Sequence, residues 1–574
     1  MGTVMTIPPI VDVQTPAIPP YAPTFVQTTN ITPFTYRDGA TYLQILEGLR
    51  QYINRTIVPF VNENLDNLTD VFIEEVNKLI DAVNEAIEAI INSSIEVQDP
   101  LVAQLINDVN SLTRQAIEGL NYLIKPNAAR SVKEFGAVGN NVADDTVALR
   151  AAIASGHPLY WGGPKDIYRI TEEIDVILAS ALVWNSDGAS IRVDSVAPIQ
   201  YALDINAAGF NITIKGPMTI DSNLKAFTSW YFHNNSATYA NISLSGVGSR
   251  RNYRANTNFL GGDGIMIKGA FTNVYLERPD VRDSIMAANA GIIGSQGVTG
   301  ITVSAAGVGL SPKEITLIAP WIENVYCEDP AYLADQDGFR VFTEEDIDGN
   351  TAPFETHFAV FGGHFKNCAG RSIKSQCEFG VVDGAFFIRR GTTFPARIGG
   401  YSEINFQTGG GSVVNCEFEY ISQSPSRVIQ WTGTHMAGGK FVPGFTINNC
   451  KVTITGSQAV PRFFAATNDQ QRRGVANISN VHVITSGTGF TDYFSTVQGL
   501  DDTQEIIINL SNIIAPLETG LPFLQRLGVA TPTYSSFTNI VNTRSLSAIA
   551  KFSILTQAGA YTQVVSGNNV RVEV

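Results

Sequence analysis

From Ile212 onward the chain repeats one kind of phrase, a short run of strand-forming residues followed by a polar or glycine turn. It appears as Ile212-Thr213-Ile214, Ile242-Ser243-Leu244, Val274-Tyr275-Leu276, Ile315-Thr316-Leu317 and Phe358-Ala359-Val360. It continues as Gly380-Val381-Val382, Ser412-Val413-Val414, Phe445-Thr446-Ile447, Val475-Ala476-Asn477-Ile478 and Ile506-Ile507-Ile508. Most neighbours lie 20 to 40 residues apart. One such phrase cannot bury its apolar side, but stacked copies can, so the spacing predicts a solenoid with loops of variable length. At 574 residues, with 50 glycines and only 16% charged residues, the chain suits many tight turns better than one ordinary core. Asn-Cys pairs at Asn367-Cys368, Asn415-Cys416 and Asn449-Cys450 fit an inward ladder of small residues, and the five cysteines read as buried thiols.

Ahead of the repeats, Ser131 to Ile153 reads as a strand (Val132 to Phe135), a glycine-rich turn and a helix. Asp144 is the expected N-cap, and Val147, Leu149, Ala151, Ala152 and Ile153 give the helix an apolar side. This segment, with Leu159-Tyr160-Trp161 and Ile167-Tyr168-Arg169-Ile170-Thr171, resembles the cap that opens the pectate-lyase-like right-handed β-helices of bacteriophage tailspikes. Asn140-Asn141 stands where that family often has Asp-Gly, and Asn also accepts a left-handed turn. The resemblance implies a mainly β chain with a right-handed parallel β-helix over 128–515, opened by the cap at 131–153. It also implies a homotrimer carried on a virion, made in the host cytoplasm.

The remaining segments are read around that core. Residues 1–40 are rich in proline and cannot bury a core alone; they are expected to dock onto a phage tail or baseplate protein. Over 41–127 an α-helical stalk is expected, with Val61, Leu65, Leu68, Phe72, Val76, Leu79, Val83, Ile87 and Ile90 forming a narrow apolar seam. Its eleven-residue period predicts a straight or slightly right-handed supercoil, as a parallel trimer or a hairpin folded back at Asp99-Pro100. The resemblance favours the trimer. A small C-terminal β module is expected over 516–574. The net charge of −15 argues against a nucleic-acid partner, no secretion signal opens the sequence, and no apolar run is long enough to insert in a membrane.

A second phrase sets a charged residue before a short strand, at Asp263, Asp283, Asp337, Arg371, Arg397, Arg427, Arg462 and Asp492. In one register these would form an edge, acidic in early coils and basic in later ones, with Asp337 and Arg371 stacked where the sign changes. That is a structural ladder of paired charges. The catalytic reading takes Asp335 and Asp337 as acid and nucleophile or base of a glycoside hydrolase, or Arg371 and Lys374 as bases of a lyase. Polygalacturonases show a faint similarity here, adding His364, although Gly363-His364-Phe365 lacks their second glycine and Arg371-Ser372-Ile373-Lys374 carries an extra residue. Glu378, Glu344 on an acidic loop, Trp321, Tyr332 and Arg397 are the candidate glycan contacts; Tyr326, Tyr420 and Trp431 are further aromatics that stack either on sugar or inside the core. No cofactor is expected, and a Ca²⁺ ion enters only in the lyase case, because the acids at 335–348 lack the spacing of an EF-hand loop. The reading is a tailspike that binds and cleaves a bacterial surface glycan; its alternative is a spike that only adheres.

Overall fold

The computed structural model describes residues 129–572, apart from 255–261, 289–296, 308, 330–334, 343–355, 391–400, 422–424, 435–443, 457–458, 469–472, 487–488, 499–504, 517–523, 528–535, 543–549 and 553–569. The expected attachment segment and helical stalk lie outside these residues. What is described is a parallel β-helix. Each coil lays down three strands in turn, as Ala240–Ser245, Val247–Arg254 and Asp263–Gly269 do, and the next coil repeats them as Phe271–Glu277, Asp280–Met286 and Val298–Ser304. Each strand pairs in parallel with its counterpart one coil on, which builds three ladders, here called faces A, B and C in chain order.

The ten recurring phrases all fall on face A. One column runs Ile212, Ile242, Val274, Ile315, Phe358, Gly380, Gly411, Phe445, Ala476 and Ile508 in unbroken register. Alternate side chains point inward, so each coil adds apolar groups directly above the last, at the ~4.8 Å inter-strand spacing. Where the column holds glycine, a neighbouring ring fills the space. A Cβ on Gly380 would lie 2.0 Å from Phe358 Cε1, and one on Gly411 2.5 Å from Phe406 Cε1. Phe358 and Phe406 stack with centroids 5.8 Å apart, and Phe406 meets Phe445 edge-on at 5.0 Å. Fully burying a side chain of this size contributes roughly 1.5–3 kcal/mol.

The corner between faces A and B repeats as strictly as the core. Gly246, Arg278, Ala319, Gly362, Gly384, Asn415, Asn449, Asn480 and Asn512 occupy it coil after coil, all with φ between 47° and 70°. Asparagine dominates the later coils because its side chain tolerates the left-handed conformation and bonds along the stack. Asn415 Nδ2 donates to Asp383 Oδ1 (2.8 Å), Asn449 Nδ2 to Asn415 Oδ1 (2.8 Å), and Asn512 Nδ2 to Asn480 Oδ1 (3.0 Å). In Asn415-Cys416 and Asn449-Cys450 only the cysteine points inward; the asparagine is the outer corner. Asn367-Cys368 sits instead at a bend within face B, so the three pairs are not one ladder.

The opening cap differs from expectation in two details. Val132–Phe135 is a 3-10 turn, not a strand: Ser131 and Glu134 form a reciprocal capping box around it. The helix, Thr146–Ala154, has Asp145 and not Asp144 at its N-cap: the Asp145 carboxylate makes no cap bond but accepts from Val138 N (2.6 Å) and ties down the glycine turn, while Asp144 Oδ1, one residue further out, accepts from Thr146 N (3.1 Å). Leu149, Ala152 and Ile153 are buried against the first coil, whereas Val147 and Ala151 face outward. The coil pattern also continues beyond 515. Leu524–Leu527 adds to face C, and Ser536–Asn542 pairs with Glu505–Ala515. All five cysteines are buried thiols, none of them in a disulfide. Among the described residues no helix is long and apolar enough to cross a membrane.

Candidate functional site

Face C carries the charged column. Tyr201, Thr228, Asp263, Thr299, Asp337, Arg371, Ser402, Arg427 and Arg462 follow one another in register, just before each strand turns its apolar residues inward. The change of sign at Asp337 and Arg371 is where the sequence placed it. Asp283 is not in this column: it lies on face B with φ 62°, facing Asn324, whose Nδ2 donates to its Oδ1 (2.7 Å). Tyr493, not Asp492, stands opposite Arg462, where the register shifts.

Around the sign change four of the candidate catalytic residues come together. Arg371 Nη1 bonds Asp335 Oδ1 at 2.9 Å and Asp337 Oδ1 at 3.2 Å, while Lys374 Nζ bonds Asp335 Oδ2 at 2.6 Å. Arg340 Nη1 approaches Asp335 Oδ2 at 3.5 Å, and the Arg371 guanidinium lies 4.3 Å from the Tyr401 ring centre. Arg340 and Tyr401 were missed in the sequence. Arg340 was findable, since it is the first outward residue after the inward pair Gly338-Phe339. Asp335, Asp337, Arg371 and Lys374 are 0% to 7% exposed.

Burial and charge divide the two carboxyls. Burial pushes Asp335 up, but Lys374, Arg371 and Arg340 outweigh it and hold the group well below the usual carboxylate range. Asp337 moves the other way: burial raises it, Asp335 adds to the rise, and Arg371 only partly offsets them. Asp337 is therefore the carboxyl of the pair that keeps a proton more readily. For Lys374 burial favours the neutral amine, opposed by both aspartates. The oxygens of Asp335 are spent on a guanidinium and an ammonium, whose positive charges occupy the place a divalent cation would take; these residues do not fit a Ca²⁺ ion. Among the described residues no group of three His, Cys, Asp or Glu side chains is placed to hold a metal.

The other candidates are elsewhere. His364 lies on the outer side of face B, with its ring 4.8 Å from Trp321 on one side and 5.6 Å from Phe386 on the other. Asp280, Trp321, His364 and Phe386 are successive rungs of one outward column. Beside it, Arg282 sits 5.2 Å from the Trp321 ring centre, Trp321 Nε1 donates to Glu323 Oε2 (3.0 Å), and Lys366 pairs with Glu323. Glu378 is at the edge of face A, 3.5 Å from His357 Nε2. Trp431 and Tyr420 are core residues, and Trp431 Nε1 donates inward to Gly409 O (2.8 Å). Tyr326 faces outward on face B. Glu344, Tyr332 and Arg397 lie outside the described residues.

A second buried ion pair was not legible in advance. Glu403, inside the solenoid, accepts from Arg389 Nε (2.6 Å) and from Ser372 Oγ, and Arg389 Nη2 donates to Gly370 O (3.0 Å).

No protein-family model matches this chain, and no curated protein does. Solved structures similar to it include the pre-mature gene product 12 of bacteriophage phi29, at 14% identity and a TM-score of 0.36 over 78% of this chain and 59% of that one. The surface adhesin PfbA of Streptococcus pneumoniae matches at 13% identity and a TM-score of 0.33, over 72% and 90%. The A-module of the mannuronan C-5 epimerase AlgE4 of Azotobacter vinelandii matches at 12% and 0.30, over 77% and 97%. These are likenesses of outline. No residue role is carried over from them.

Proposed function

We propose that this protein is a homotrimeric phage tailspike that adheres to a bacterial surface glycan through the outer side of face B. One observation carries the adhesive reading: the half-buried run Trp321, His364 and Phe386 forms an outward aromatic strip rimmed by Arg282, Glu323 and Lys366. Aromatic faces pack on the C–H faces of sugars, and charged groups at the rim hydrogen-bond their hydroxyls. The closed ionic cluster on face C supports adhesion over cleavage, because its charges are engaged with one another and shielded from solvent. Residues 1–40 attach the spike to the virion and the helical stalk trimerises it.

Cleavage keeps one observation in its favour. Hydrolysis needs one protonated and one ionised carboxyl, and Asp337 and Asp335 are divided in that sense. The test is adsorption of purified spike to host cells. Trp321→Ala is expected to weaken it at least tenfold with the fold intact, and unchanged adsorption contradicts the face B assignment. Deleting residues 1–40 is expected to leave a trimer that no longer joins the virion; a monomeric product contradicts that division of labour.

A further inference from the structure

The opening coils hold a second aromatic strip, on face C, which neither the ionic cluster nor the face B reading uses. Tyr201 and Tyr231 stand on successive coils, with ring centres 4.4 Å apart and planes inclined by 23°. The His233 ring continues the stack, 4.9 Å from Tyr231 and inclined by 13°. All three are half-buried and point away from the core, while Leu203, Ile205, Trp230 and Phe232 point in. Three stacked rings on an outer face do nothing for the solenoid core, which is already filled by the tryptophans behind them.

The chemistry beside the stack is acidic. Asp204 Oδ1 lies 3.1 Å from His233 Nε2, and Asp175 stands directly below Asp204 in register. Glu173 Oε2 accepts from Tyr201 N (3.3 Å). The nearest outward residues of the next coil are Met266, opposite Tyr231, and Lys268, opposite His233. Three carboxyls thus stand beside Lys268 and His233, and Arg150 Nη2 donates to the Glu173 carbonyl (2.6 Å) rather than to its carboxylate among the bonds described.

We propose that Tyr201, Tyr231 and His233, flanked by Glu173 and Asp204, form a saccharide site separate from face B and selective for sugars that carry no acidic group. Stacked on one another, the rings spend their inner faces on each other, so a sugar meets their edges and the outermost ring face. The carboxyls accept from sugar hydroxyls or ammonium groups, and repel uronate, sialate or phosphate. Burial, with Asp204 and Asp175 adding to it, pushes Glu173 up to about 7. Near neutral pH it is therefore shared between donor and acceptor forms, which suits a hydroxyl that is both. The proposal rests on the glycan-binding reading above but on different residues, so the two can fail separately.

The experiment is calorimetric titration of the full-length protein with oligosaccharides released from the host envelope, native and after chemical reduction of their carboxyl groups. The wild-type chain is expected to take up two equivalents. Tyr231→Ala removes one, weakening it at least tenfold, while Tyr231→Phe keeps it within threefold because the stacked ring remains. Trp321→Ala removes the other equivalent and leaves this one. Carboxyl-reduced fragments bind the face C site at least as well as native ones. Uptake unchanged in Tyr231→Ala overturns the proposal whatever Trp321→Ala does, and so does a site that takes only the acidic fragments. Loss in both tyrosine variants with a lowered melting temperature assigns the stack to folding and likewise overturns it.

Discussion

Asp337 and Arg371 stand on successive coils of one column, with Arg371 Nη1 3.2 Å from Asp337 Oδ1. They meet because a parallel solenoid brings residues 34 positions apart into one row. Arg371 faces both buried aspartates, so removing it leaves uncompensated buried charge. Arg371→Met is expected to cost about 3–5 kcal/mol, whereas Asp337→Asn costs much less because Asp337 is the carboxyl that more readily stays neutral. Chemical denaturation of the two variants measures the difference; equal and small losses would contradict a structural cluster.

The Arg389–Glu403 pair lies within the solenoid and offers a cleaner contrast. Breaking it singly, as Arg389→Met, is expected to destabilise by about 3–5 kcal/mol. The double variant Arg389→Met, Glu403→Leu is expected to recover most of that loss, since no charge is then stranded. Thermal melting of the single and double variants checks this.

The asparagine corner makes a conformational prediction. Asn449 has φ 54°, so Asn449→Val is expected to cost on the order of 1–2 kcal/mol, plus the amide bond to Asn415. Asn449→Gly, which has no Cβ to strain, is expected to lose less. A reversed ranking in melting temperature would contradict the corner's role.

Glu173 predicts a pH dependence. Its carboxyl is raised from 4.5 to about 7 in the folded chain, so it binds a proton more tightly folded than unfolded. Its contribution to stability is therefore complete below about pH 4.5 and is lost as pH rises through about 7. Between pH 5 and pH 8 the wild type is expected to lose about 1–2 °C of melting temperature more than Glu173→Gln does. Parallel pH profiles for the two proteins would contradict it.

Much of this architecture was legible because its signals repeat. The phrases of face A share a column because inward Ile, Val, Leu and Phe recur once per coil, and the Asp337–Arg371 junction follows from the same repeat. What was not legible depends on where corners fall within a coil. Asp283-Ser284-Ile285 reads like Asp263-Gly264-Ile265, yet Asp283 occupies a left-handed bend on face B. His364 was grouped with the aspartates although it precedes the corner that leads to face C. Ser131 and Glu134 carried a capping-box signal that outweighed the strand-like Val132 and Phe135. Tyr201 and Tyr231 lie on adjacent coils but out of register, Tyr201 opposite Thr228 and Tyr231 opposite Asp204, so reading aromatics at the coil period does not pair them.

The most direct test of the account is to incubate the purified protein with purified host envelope polysaccharide, scoring retention together with new reducing and unsaturated chain ends. Retention is expected to fall at least tenfold in Trp321→Ala, with no new ends of either kind. New ends that appear with the wild type and vanish in Asp337→Asn, with the fold retained, would contradict it and make the face C cluster a catalytic centre.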